Sequence, residues 1–266
     1  MDEPDLNEVA PEEYSRLARR LRKLDRARPI YLTVWSPLRY GDYVNVCDIL
    51  APNPYPILHT EPEQNNLRLV GIILDAARES AGGRPVWAIL QAFYAEPAWP
   101  RNPTPRELRA MVFLALNHGA DGIIYFSYKS GGRPITEHRE LFAEMSRING
   151  HLRALRGALL ARPIRSIRHV EVKQDERPAT LQMPADARAS VPLDCSIRDF
   201  CRAQLLIAVN PDPWAKTMDI HLPEGDTPRK ATELFADEES GPTEIQAGTP
   251  ITSRFAAFQV RVYWIE

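Results

Sequence analysis

No apolar run in this sequence approaches the ~20 residues a membrane-spanning helix requires, so it offers no candidate span. Cysteine is sparse. Cys47, Cys195 and Cys201 form an odd set with no C-x-x-C pair, which argues against a disulfide framework and a thiolate metal site. No block of like charge occurs, and the formal net charge is only −2, so nucleic acid and anionic membranes are not indicated as partners. The acidic, polar start is not a signal peptide and leaves the compartment unassigned. Internal repeats and low-complexity tracts are missing. Ser127 lacks a G-x-S-x-G setting. The histidines at 59, 118, 138, 151, 169 and 221 show no H-E-x-x-H spacing, and the glycine pairs at 82–83 and 131–132 show no phosphate-binding pattern. No metal or organic cofactor is implied.

What is present suits a globular chain of one large domain or two ordinary ones: 266 residues, 44% hydrophobic and 26% charged. Proline, at 24 residues, is about twice as frequent as usual. Residues 10–25 predict a helix, with Pro11 near its start, Glu12 and Glu13 beside it, and Tyr14, Leu17, Leu21 and Leu24 as an apolar stripe. "PIYLTVWSP" reads as a buried strand and "VCDILAPNPYP" as a second, short one that ends in proline-marked loop. The stretch between them predicts only a short or irregular helix. Residues 63–81 predict a helix stopped by Gly82-Gly83, and "RPVWAILQAF" a third strand. In "NPTPRELRAMVFLALNHG", Thr104 reads as an N-cap, Pro105 as the first helical residue and Glu107 as the partner in a capping box, with Gly119 closing the helix. "ADGIIYFSY" predicts a fourth strand, and residues 136–161 a long helix with Leu141, Met145, Ile148, Leu152, Leu155 and Leu159 on one face.

Continuous apolar strands alternating with helices imply a parallel sheet covered by helices. After Pro163 the period changes. "RSIRHVEVK", "PATLQMP", "RAQLLIAVNP", "KTMDIHLP", "RKATELFAD" and "RFAAFQVRVYWIE" are short strand candidates punctuated by Pro, Gly and Asp, the pattern of an antiparallel β-sandwich. The expected fold class is α/β, with residues 1–163 and 164–266 as two domains.

The distinctive residues stand at the strand ends: "DEPD" at the start, "APNPYP", "ILQAF" and "YFSY". In that order they resemble the second half of a (β/α)8-barrel glycoside hydrolase, of the retaining β-glycosidase-like clan whose fourth strand ends in Asn-Glu-Pro. The resemblance puts Asp2-Glu3-Pro4 at that place, makes "PIYLT", "CDILAPNPYP", "PVWAILQAF" and "GIIYFSY" the fifth to eighth strands, and accommodates an appended C-terminal β-sandwich. A complete barrel needs ~250 residues. The resemblance therefore implies a partial, half barrel of TIM type, with Met1 an internal methionine or a late start. Its exposed sheet edges imply a homodimer or a missing N-terminal barrel half.

The same resemblance implies a soluble, truncated hydrolase with impaired activity on a glycosidic bond of a carbohydrate. Glu3 would be the proton donor, with Asp2 beside it to orient a sugar group. The clan's nucleophile is a glutamate at the end of the seventh strand, where this chain has Gln91. An amide cannot form a glycosyl ester, and three readings stay open: a protein that only binds carbohydrate or acts as a scaffold, recruitment of Glu96 from the next loop, or a substrate-assisted route through Asp2 and Glu3. Trp35, Tyr55, Tyr94, Trp99 and Tyr128 fall at or beyond strand ends, where flat rings suit the C–H faces of sugars. Asn53, Gln91 and Ser127 could reach hydroxyls there. Each residue also has a plain structural alternative: a solvated terminus for Asp2 and Glu3, turn chemistry for Asn53, packing for the aromatics.

Overall fold

The computed structural model describes residues 3–130, 133–161, 169–177, 193–222, 229–235, 243–245 and 249–266. Asp2, the strand candidate "PATLQMP" and the expected boundary at Pro163 lie outside the described residues.

Helix α1 (Pro11–Leu24) begins with Pro11, Glu12 and Glu13 and ends with Arg22 and Lys23, each sign at the helix end whose dipole favours it. Strands β1 (Tyr31–Leu32) and β2 (Ile49–Leu50) pair in parallel, Tyr31 opposite Ile49. Between them the chain makes 3-10 turns around the four-residue helix α2 (Tyr40–Tyr43), the irregular helix expected there. Helix α3 (Arg68–Ser80) leads to β3 (Trp87–Gln91) through Gly82 and Gly83, at φ +56° and +85°, a conformation that glycine adopts without strain. Helix α4 (Pro105–Asn117) opens on the Thr104/Glu107 capping box and leads to β4 (Gly122–Phe126), which pairs in parallel with β3 over its whole length. A parallel bridge from Leu50 to Val86 links β2 to β3, so the four strands lie in the order β1-β2-β3-β4. Their ladders are shorter than the apolar runs suggested. The hairpin β5 (Lys129–Ser130) and β6 (Arg133–Pro134) and the long helix α5 (Arg139–Leu159) follow.

The second part of the chain is antiparallel. Strands β7 (His169–Asp175), β10 (Lys216–His221) and β13 (Ile251–Phe255) form one sheet in the order β13-β10-β7. The other contains β8 (Asp194–Phe200), β9 (Ala203–Val209), β11 (Arg229–Leu234), β12 (Thr243–Ile245) and β14 (Val260–Ile265), in the order β12-β11-β14-β9-β8. Three details differ from the sequence reading. Strands β8 and β12 were not anticipated, and "RFAAFQVRVYWIE" is the end of β13, a turn and β14.

Period-2 alternation explains why β9 is apolar from Leu205 to Val209, past the partly exposed Gln204 at its start. Leu205, Ile207 and Val209 join the large core with α4 and α5, whereas Leu206 and Ala208 join Met218, Ile220 and Phe255 in a second core against the three-stranded sheet. A strand covered on both faces has no position left for solvent-facing residues. Strand β8 instead turns Asp194, Ser196 and Arg198 toward α4. Asp194 accepts from Asn117 Nδ2 (2.7 Å), Ser196 Oγ donates to Asn117 Oδ1 (2.6 Å), and Arg198 Nη2 donates to the Leu116 carbonyl (2.6 Å). This polar row joins the two parts of the chain.

Helix α1 departs from its predicted stripe. Tyr14 and Ala18 are buried, while Leu21 and Leu24 are 45% and 86% exposed. Tyr14 belongs to the large core, and in the last turn only Arg22, paired with Asp48, is partly covered.

Candidate functional site

The ends of the parallel strands collect the residues singled out from the sequence. The N-terminal segment is fixed first. Pro4 is buried, and Asp5 accepts from the backbone N–H of Trp35 (3.1 Å) and Ser36 (2.7 Å), just beyond β1. The Glu3 carbonyl takes the N–H groups of Leu6 and Asn7, both at 3.1 Å, closing a tight turn with Glu3 at φ 46°. These bonds hold Glu3, half-buried, against the loop after β2. There Asn53, only 6% exposed, donates from Nδ2 to Glu3 Oε1 at 2.5 Å. Glu3 and Asn53, fifty residues apart, are thus in direct contact.

Beside them lies a group of aromatic rings. Tyr55 packs edge-on to Phe93 (5.0 Å between centroids) and Trp99 (6.0 Å) and stacks on Phe126 (6.0 Å). Trp35 lies 6.4 Å from Tyr55 and 6.5 Å from Trp99. Edge-to-face and offset stacks of this kind are favourable beyond the area they bury. Trp35 and Phe126 still expose 39% and 46% of their surface, so the group presents ring surface to solvent rather than closing as core. The indole Nε1 of Trp99 is buried and has no hydrogen-bond partner among the described residues.

The loop that carries Trp99 is anchored by Glu107. Its carboxylate accepts from both Arg101 Nη atoms (2.7 and 2.8 Å) and from Thr104 N (2.7 Å), in full burial. Arg101 also reaches the Thr60 carbonyl (2.7 Å), tying the loops after β2 and β3 together.

Gln91, which the sequence reading put at the place of the clan nucleophile, is wholly enclosed. Its Oε1 accepts from Ile57 N (3.0 Å) and its Nε2 donates to the Ile57 and Phe93 carbonyls. The amide thereby tethers the loop after β2 to the end of β3, a task that needs both a donor and an acceptor. The other predicted residues lie around the group or apart from it. Tyr94 contacts the ring of His138 (6.2 Å), Ser127 Oγ bonds the Lys129 carbonyl (3.1 Å), and Tyr128 is 68% exposed. Glu96 is exposed in the loop between Ala95 and Trp99, whose main chains exchange hydrogen bonds. Asp5, Phe93 and Phe126 were missed by sequence reasoning. Phe93 and Phe126 carried the same signal as Tyr55 and Trp99, aromatic residues at or just past strand ends. Asp5 carried none, because its partners are main-chain atoms thirty residues away.

Among the described residues, a metal-type cluster occurs only far along the chain. Glu171, Asp219 and His221 each offer a ligand atom, all within 4.8 Å of one another, on β7 and β10. Lys173 Nζ stands 3.1 Å from both carboxylates, where a cation would sit.

The family model described as β-galactosidase, glycoside hydrolase family 42, matches residues 7–147, just over half of the chain. No curated protein matches. Similar solved structures include an α-amylase from Geobacillus thermoleovorans complexed with acarbose (11% identity, 97% of this chain and 57% of that one, TM-score 0.60). An Anoxybacillus α-amylase (11% identity, 97% and 56%, TM-score 0.56) and a β-galactosidase from Bacillus circulans sp. alkalophilus (9% identity, 96% and 66%, TM-score 0.61) are also similar. At such identities the likeness concerns the fold, a mixture of helices and strands. The chain spans between 56% and 66% of the length of these three structures.

Proposed function

This chain belongs to glycoside hydrolase family 42, the family described as β-galactosidase, and from that premise we propose that it is the part of a β-galactoside hydrolase that holds the proton donor. Strands β1 to β4 form one wall of a (β/α)8 barrel, and the two antiparallel sheets form an appended β-sandwich. Among the described residues, neither the outer edge of β1 nor that of β4 has a strand partner. Those edges support a second copy or a separate barrel half as the partner. No described helix is long and apolar enough to cross a membrane.

The observation that carries the reading is the contact between Glu3 and Asn53 at the strand ends beside open aromatic surface. A glycosidic bond to an alkyl or sugar leaving group needs a proton on the departing oxygen, and a positioned carboxylic acid supplies it. Asn53 holds Glu3 by one oxygen, and Trp35, Tyr55 and Phe126 offer flat surface for a sugar ring. Glu3→Gln is expected to slow hydrolysis of an alkyl β-galactoside by about 10²–10⁴-fold. It should slow a nitrophenyl β-galactoside far less, because nitrophenolate leaves without a proton. Equal turnover by the variant and the parent on the alkyl substrate removes Glu3 from the mechanism.

A second reading rests on Gln91. With an amide there, the site lacks the second carboxylate of a retaining hydrolase, and the protein binds galactosides without cleaving them. Calorimetric titration with β-galactosides, run beside the hydrolysis assay, separates the two. Binding without cleavage favours the second reading, and cleavage that depends on Glu3 favours the first.

A further inference from the structure

At the opposite ends of β3 and β4, a cavity of about 750 Å³ opens between the start of these strands, the end of α5 and strand β8. Its volume suits a small ligand. Leu152, Leu159, Leu160 and Ile123 form an apolar side, and Arg156 and Arg198 also line it. Two further cations reach the wall but are already neutralised: Arg78 pairs with Asp121 (2.8 Å), and His118 lies between Asp75 (2.9 Å) and Asp194 (2.6 Å).

Arg198 is the unusual member. It is 2% exposed and belongs to none of the ion pairs among the described residues. Nη1 donates to Ser196 Oγ (2.8 Å), Nη2 to the Leu116 carbonyl (2.6 Å), and Nε has no partner among the described residues. Burial acts on this guanidinium without an opposing carboxylate and pulls its pKa down to about 10, so it stays charged at neutral pH. The carbonyl end of α4 offsets part of that charge. A buried guanidinium with a spare N–H and no counter-ion is unfavourable as it stands, and an anion in the cavity would complete it.

We propose that this cavity is a binding site for a small amphiphilic oxyanion, a carboxylate or phosphate on an apolar chain. The head is held by Arg198 and Arg156, and the chain lies along Leu152, Leu159 and Leu160. Guanidinium groups suit such heads because their planar forks match two oxygens at once. Leu160, 86% exposed, marks the apolar rim where the chain of the ligand would leave the cavity. The site is distinct from the rim that carries Glu3.

The test is calorimetry and thermal melting of the full chain with four probes: octanoate, octyl phosphate, inorganic phosphate and 1-octanol. Octanoate or octyl phosphate is expected to bind one to one below millimolar and to raise the melting temperature, and whichever binds tighter identifies the head group. Inorganic phosphate should bind at least tenfold more weakly, and octanol should give no one-to-one binding. Arg198→Met should melt no lower than the parent without ligand, because the variant no longer buries an unmatched charge, and should lose the ligand-induced rise. Arg156 is exposed, so Arg156→Gln tests the site without threatening the fold; about a tenfold loss of affinity is expected. The proposal is overturned if neither amphiphile binds at millimolar concentration, or if Arg156→Gln binds as tightly as the parent. Inorganic phosphate binding as tightly as octyl phosphate would overturn the apolar half of it.

Discussion

The two ends of the parallel strands are built from different chemistry. At their starts, aspartates lock the frame by one repeated device. Asp48, before β2, accepts from Ile30 N (2.8 Å) and from Arg22 of α1 (2.7 Å). Asp121, before β4, accepts from Val86 N (2.9 Å) and from Arg78 of α3 (2.8 Å). Each aspartate joins the start of the neighbouring strand to the helix that precedes that neighbouring strand in sequence. At the far ends, main-chain bonds from Gln91 and Asp5 set the loops, and a half-buried carboxylate held by the buried Asn53 amide stands beside open aromatic rings. In α/β barrels generally the starts of the strands hold the frame and their ends carry the chemistry, and the proposed function assigns the same division of labour to this chain. Substitutions at the two ends should therefore separate stability from turnover.

The sharpest division should come from Glu3 and Glu107. Glu3→Gln removes an acid and leaves a side chain of the same size; a loss of catalysis with little change in melting temperature is expected. Glu107→Gln should do the reverse at the outset. It removes the charge of a fully buried carboxylate held by both Arg101 Nη atoms, although the Gln oxygen can still accept from Thr104 N in the capping box. About 3 kcal/mol is expected to be lost in urea unfolding. It should then weaken galactoside binding only as the Trp99 loop loosens. A Glu107 variant of normal stability would refute the anchoring role.

Next in size is His118. Burial opposes its protonation, but hydrogen bonds to Asp194 and Asp75 outweigh that, and its pKa rises to about 9. A raised folded pKa stabilises the protein fully below the unfolded value near 6.5 and loses its effect as pH rises through about 9. The parent should therefore lose up to about 3 kcal/mol between those limits. His118→Gln, less stable at pH 6, should show a flat profile there. Gly71→Ala offers an independent route, because its added Cβ would lie 2.4 Å from His118 Nε2 and must displace the ring. A parent whose stability is level from pH 6 to 9 would show that the imidazole is not charged between the two carboxylates. Smaller again is Trp35→Ala, which should raise KM for β-galactosides several-fold, about 1 kcal/mol of lost ring contact, with kcat nearly unchanged.

These effects were unevenly legible in the sequence. Thr104, Pro105 and Glu107 announced the start of α4 because capping is local, written within four residues. The Arg101 arm of Glu107 was not, since a salt bridge out of a loop has no period. Gln91 was read by its place on the strand, and its role as a tether depends on main-chain atoms 34 residues away. Strand β8 escaped notice because "DCSIRDF" puts Asp194, Ser196 and Arg198 on a buried face, where alternation would call for apolar residues. The stripe on α1 had the right period, but Leu21 and Leu24 stay exposed to solvent, at 45% and 86%. Periodicity reports which residues share a face, and not how far along the helix that face is covered.

The smallest effects test the frame at its exposed end. Asp121 and Arg78 are partly open to water, so their attraction is screened, and Asp121→Asn can still accept from Val86 N. A loss below about 1 kcal/mol is expected, with hydrolysis and galactoside binding unchanged. Asp48 adds a pH signature. The Ile30 N–H, then Arg22, hold its carboxyl below the usual carboxylate range against the effect of burial. Its contribution is therefore present above that range and lost as pH falls through the lowered value. Asp48→Asn should unfold less steeply than the parent on acidification below pH ~4, and the two proteins should behave alike at neutral pH to within the screened value of the pair. A variant at Asp48 or Asp121 that alters kcat at unchanged stability would break the division between the two ends, because it would tie the locked starts of the strands to the chemistry at their tips.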